Sequence, residues 1–74
     1  MTEEKKKELE KATDILCTMY AALERNPGDV SVGVVPDREI ITVKICGATY
    51  NIDVECENIR MMIKQVVDAT ILKI

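Results

Sequence analysis

The sequence predicts an α+β fold of order α-β-β-β-α, a three-stranded antiparallel meander with two helices packed on one face. Three observations predict it. Over residues 2–25 apolar side chains recur at three- and four-residue steps, over residues 30–54 the apolar period falls to two, and from about Cys56 the helical period returns. The 74 residues read as one domain, 1–74, because a second core would need most of the chain for itself.

In the first helix Leu9, Ala12, Leu16, Met19 and Leu23 form the apolar stripe, and Ile15 and Tyr20 widen it. Thr2 is placed to cap this helix, with Glu3 and Glu4 in the first turn against the dipole. The Lys5-Lys6-Lys7 run is surrounded by Glu3, Glu4, Glu8 and Glu10, so it reads as a solvated helix face rather than a nucleic-acid patch. Asn26-Pro27-Gly28-Asp29 then stops the helix, since Pro27 restricts the residue before it and Gly28 suits a turn.

The strands can be registered by their turns. Gly47-Ala48 fits a two-residue type II′ loop with glycine first, which sets Cys46 opposite Thr49, Ile45 opposite Tyr50, Val43 opposite Ile52 and Ile41 opposite Val54. A four-residue loop from Pro36 to Glu39 sets Val34 opposite Ile41, Val32 opposite Val43 and Val30 opposite Ile45. Both turns assign the same face to the core, and that agreement supports the meander. The other face carries Ser31, Gly33, Val35, Ile40, Thr42, Lys44, Cys46, Thr49, Asn51 and Asp53, small and mostly polar. In the second helix Ile59, Met62, Ile63, Val66, Val67 and Thr70 share one side, while residues 69–74, rich in β-branched side chains, can fray or extend.

Composition then excludes classes of activity. With 47% hydrophobic and 31% charged residues the chain matches a folded globular protein. Histidine is absent and Ser31 is the only serine, which removes Ser-His and Cys-His nucleophile pairs and every histidine metal site. Gly28, Gly33 and Gly47 are too scattered for a phosphate-binding loop. Tyr20 and Tyr50 are the only aromatics, too few for a base-stacking platform. Ten basic against thirteen acidic residues give a net charge of -3, so direct nucleic-acid binding is disfavoured. The longest apolar stretch, Met19 to Leu23, is far short of a membrane span, and the charged N-terminus is unlike a signal peptide, so no membrane association or export is expected. Cys17, Cys46 and Cys56 are odd in number and lack C-x-x-C spacing, so reduced thiols, a cytoplasmic location and no cofactor are expected. Cys56 falls near the start of the second helix, where the dipole would lower its pKa and the flanking Glu55 and Glu57 would raise it.

The α-β-β-β-α order resembles the layout of the double-stranded RNA-binding domain. That family contacts phosphate with lysines at the start of its second helix and with a histidine-bearing loop between its first two strands. Here the corresponding segments read Glu55-Cys56-Glu57 and Pro36-Asp37-Arg38-Glu39, so no residue carries over and RNA binding is disfavoured. In size, charge and layout the chain is also similar to small acidic inhibitors made by phages and other mobile elements, some of which block CRISPR nucleases.

Three groups of residues are candidate sites. Asp53, Glu55 and Glu57 could bind Mg²⁺ or act as an acid/base pair, could simply complement a helix dipole, or could join Asp37 and Glu39 in imitating spaced phosphates for a basic partner. Met61, Ile71 and Leu72 fall opposite the core stripe of the second helix and suit self-association as a homodimer. The uncharged first strand, residues 30–35, is the competing dimer edge. The expected function is a non-catalytic protein-binding module whose partner has a basic surface, a stoichiometric inhibitor of the anti-defence type. The alternatives are a carboxylate-dependent metal-binding protein or enzyme using Asp53, Glu55 and Glu57, and an α-β-β-β-α nucleic-acid-binding domain.

Overall fold

The computed structural model describes residues 2–35, 37–55 and 57–74. Helix α1 spans Glu3–Leu23, strands β1, β2 and β3 span Val30–Val34, Ile40–Ile45 and Ala48–Asp53, helix α2 spans Ile59–Thr70, and a 3₁₀ turn covers Ile71–Lys73. This is the α-β-β-β-α order that the periodicity predicts. No helix among the described residues is long and apolar enough to cross a membrane.

Thr2 caps α1 as expected, its hydroxyl accepting from the Lys5 N–H at 3.1 Å. The helix ends at Leu23 because Glu24 turns extended, and its carboxylate takes over the next turn by accepting from the N–H groups of Gly28 and Val30 at 3.3 and 3.0 Å. Helix α2 begins three residues later than the periodicity indicates. Asn58 is its cap, with Oδ1 accepting from the Met61 N–H at 2.9 Å, so Glu55 and Glu57 precede the helix instead of occupying its first turn. The reading of Cys56 lies outside the described residues. At the other end Ala69 and Thr70 complete α2, and the chain tightens into the 3₁₀ turn.

The sheet has order β1-β2-β3 and is antiparallel throughout. The β1–β2 register is the expected one, with Val30 opposite Ile45, Val32 opposite Val43 and Val34 opposite Ile41. The β2–β3 register differs by two residues: Ile45 faces Ala48, Val43 faces Tyr50 and Ile41 faces Ile52. The loop residues are Cys46 and Gly47, with φ of 49° and 91°, a type I′ arrangement in place of the type II′ turn at Gly47-Ala48. Type I′ matches the right-handed twist of the strands, and glycine supplies one of its two positive-φ positions freely. A slip of two residues leaves every side chain on its original face, so the core assignment survives the correction.

That core consists of Leu9, Ala12, Leu16 and Tyr20 from α1, Ile41, Val43 and Ile45 from β2, Val54 after β3, and Met62 and Val66 from α2. Met19 and Leu23, expected in the stripe, are 38% and 49% exposed, because the buried line of α1 runs through Leu16 and Tyr20 and these two lie to one side of it. Both helices cover the same face of the sheet. They run in the same direction: Lys5 near the start of α1 reaches Glu57 ahead of α2, and Tyr20 near the end of α1 meets Thr70 at the end of α2. The two helix N-termini therefore share one end of the molecule.

Candidate functional site

That end is also where β2 begins and β3 finishes. Ile40 pairs with Asp53, and the Val54 N–H donates to the Glu39 carbonyl at 2.9 Å. The ladder thus lays the β1–β2 loop beside the connector from β3 to α2. Asp37, Arg38, Glu39, Ile40, Asp53 and Glu55 line one open depression of about 420 Å³. Two acidic groups that the sequence leaves in separate loops are in this way gathered on one surface.

The backbone beneath these carboxylates is held by local bonds. Asp53 Oδ1 accepts from the Glu55 N–H at 2.9 Å, which fixes the turn leaving β3. Asp37 has φ of 63°, and the Arg38 N–H after it donates to the Val35 carbonyl at 3.3 Å. Glu57 stands apart from the depression. It is half-buried, and its carbonyl accepts from Lys5 Nζ at 2.9 Å.

Lys5 is the residue that the sequence reading misplaces. It is half-buried rather than part of a solvated lysine face, and its Nζ lies 3.6 Å from Glu39 Oε1 and 3.5 Å from Glu8 Oε2. It ties the first turn of α1 to both loops of the acidic end. The signal was present in the spacing, since Lys5 is one helical turn before Leu9 on the buried side. Four carboxylates around the depression, against the cations Arg38 and Lys5, leave this end acidic, and both helix dipoles direct their positive ends toward it.

The chemistry available here is electrostatic. Among the described residues no three aspartate, glutamate or cysteine side chains come together in a way that could hold a metal ion. The thiols of Cys17 and Cys46 are free and exposed.

The residues expected to carry self-association differ in exposure. Met61 is half-buried, Ile71 is 36% exposed and Leu72 is 95% exposed. Between Met61 and Leu72 the outer face of α2 carries the Lys64–Asp68 ion pair at 2.8 Å. No protein-family model matches the chain, and the comparisons with curated proteins and with solved structures return no match, so the order shared with the double-stranded RNA-binding domain stands as a likeness of layout.

Proposed function

We propose that the protein is a non-catalytic protein-binding module whose acidic end engages a basic surface of another protein by stoichiometric contact. The manner would be that of the small acidic inhibitors that phages and other mobile elements direct against host defence proteins such as CRISPR nucleases. The observation that carries this reading is the convergence of Asp37, Glu39, Asp53 and Glu55 on one depression from two loops joined by the sheet. Charges mounted on hydrogen-bonded strand ends are preorganised, and complementary charge raises association rate and selectivity more than it raises fold stability. The free thiols of Cys17 and Cys46 suit a reducing cytoplasm.

Self-association belongs to the same proposal. Of the large apolar side chains exposed among the described residues, Ile15, Met19 and Leu23 lie on α1, Val34 lies on β1, and Ile71 and Leu72 lie on the turn that ends α2. An enzyme built on Asp53, Glu55 and Glu57 has less support, because Glu57 does not line the depression that Asp53 and Glu55 share and Asp53 Oδ1 already accepts from the Glu55 N–H.

The test is capture from a bacterial lysate with the unmodified protein and with an Asp37→Lys, Asp53→Asn, Glu55→Lys variant, in which asparagine keeps the turn acceptor. One dominant protein should be retained at low salt, released as salt rises, and lost by the folded variant. Retention of the same partner by the variant with unchanged affinity would remove the acidic end from consideration. Retention of nucleic acid with a steep salt dependence would favour the RNA-binding alternative.

A further inference from the structure

In an antiparallel ladder the N–H and C=O of one residue point to the same side, and alternate residues point to opposite sides. The Val35 N–H donates to the Ile40 carbonyl and the Cys46 N–H to the Asp29 carbonyl, whereas the Val54 N–H donates to Glu39. Residues 40, 42 and 44 of β2 therefore bond to β1, and 41, 43 and 45 bond to β3. It follows that Val30, Val32 and Val34 direct their backbone groups out of the sheet along β1, and that Thr49, Asn51 and Asp53 do so along β3.

The two open edges are not equivalent. On β1 the outward N–H of Val30 donates to Glu24 Oε2 at 3.0 Å, and the outward carbonyl of Val32 accepts from Cys17 Sγ at 3.6 Å. Helix α1 thus covers the Val30–Val32 part of the edge that competes as a dimer surface, with a carboxylate placed where another strand would pair, and leaves Val34 exposed. On β3 no side chain among the described residues bonds to the outward backbone groups of Thr49, Asn51 or Asp53. The Asn51 side chain accepts from the Thr42 hydroxyl at 2.9 Å across the open face, which draws it toward the sheet interior. Tyr50 and Ile52, on the core side of β3, are half-buried against the core, with Lys73 Nζ 5.5 Å from the centroid of the Tyr50 ring. The edge ends at Asp53, in the acidic depression.

We propose that the β3 edge accepts an extended segment of the partner protein as a fourth strand, with a basic residue of that segment seated among Asp37, Glu39, Asp53 and Glu55. The occupant is set by charge complementarity, and the inference rests on the reading of the acidic end given above. An antiparallel addition starts at the acidic end and runs toward Ala48, so the basic residues precede the strand. Apolar residues at alternate positions then lie beside Tyr50 and Ile52.

The probe is a synthetic peptide of two arginines followed by alternating valine and threonine, titrated into the labelled protein and followed by NMR. The amides of Thr49, Asn51 and Asp53 should shift and gain protection from exchange, while those of Val30, Val32 and Val34 should not. Asn51→Pro removes an outward donor and is tolerated at an edge; it should weaken the peptide at least tenfold. The Asp37→Lys, Asp53→Asn, Glu55→Lys variant should weaken it as well and flatten its salt dependence. Unchanged affinity in Asn51→Pro together with loss in the acidic variant would overturn the strand addition and leave the acidic end standing. Protection along β3 with no effect of the acidic variant would do the reverse. If Asn51→Pro fails to fold, the amide pattern of the unmodified protein decides. Failure of the peptide to bind at millimolar concentration, or the absence of protection at the three β3 amides, overturns the inference.

Discussion

At the scale of single residues, the clearest case of a polar group shaped by its surroundings is the hydroxyl of Tyr20. It lies 2.5 Å from Thr70 Oγ1, and both hydroxyls reach the Val66 carbonyl, Thr70 at 2.7 Å and Tyr20 at 3.4 Å, so either one can donate to the other. Both side chains are buried, and burial pushes the Tyr20 hydroxyl above its ordinary pKa while the bond to Thr70 partly opposes the rise. The two ends of this bond are unequal. Thr70→Val leaves the Tyr20 hydroxyl only the Val66 carbonyl at 3.4 Å, so it should cost about 1–3 kcal/mol, the range for a buried polar group deprived of its partner. Tyr20→Phe leaves Thr70 bonded to Val66 and should cost only about 1 kcal/mol. Urea unfolding of the two variants checks the order, and a larger loss in Tyr20→Phe would contradict this account.

Among the elements, the β2–β3 hairpin shows why turn chemistry is harder to read than periodicity. Gly47-Ala48 and Cys46-Gly47 are both two-residue loops with glycine at an acceptable position, and they yield registers of the same parity. The folded chain takes the second at the expense of a cysteine at φ 49°, a region that L-residues enter at roughly 1–2 kcal/mol. Asparagine enters that region more readily, and Cys46 is exposed, so Cys46→Asn removes no core contact. We expect Cys46→Asn to stabilise the protein by up to about 1 kcal/mol, seen as a rise of roughly 5 °C in the thermal midpoint. A fall would mean that the hairpin is not closed by a type I′ turn.

For the whole molecule, size and layout govern what can be asked of it. A core of this size supplies a small margin by itself, roughly 3–5 kcal/mol, and association is one usual supplement where disulfides and metals do not contribute. Among the described residues, five of the six exposed large apolar side chains lie on α1 or after α2, the sixth being Val34 on β1, and the outer face of α2 is interrupted by the Lys64–Asp68 pair. The surface expected to close a dimer is therefore the helical layer that includes Met19 and Leu72, rather than Met61 with Leu72. Light scattering at high micromolar concentration should report a dimer, and Met19→Glu with Leu72→Glu should convert it to a folded monomer. A monomeric unmodified protein would remove self-association.

What the sequence determined by itself was periodic. Steps of three and four marked the two helices, a step of two marked the sheet, and the parity of Ile41, Val43 and Ile45 selected the buried face even though the turn was misassigned. Thr2 was legible as a cap because capping depends on neighbours within one turn. The candidate site was legible only as two acidic fragments. Their union required Ile40 to meet Asp53 across the ladder, a pairing set by the β2–β3 register. Lys5 acquired its role because the parallel helices bring Glu57 to it and the loop between β1 and β2 brings Glu39, both from distant points of the chain. The difference between the partly covered edge of β1 and the open edge of β3 likewise depends on where α1 lies over the sheet. Local spacing records which face of an element is apolar, but which loops and edges become neighbours is decided by long-range packing, and only the tertiary structure holds that information.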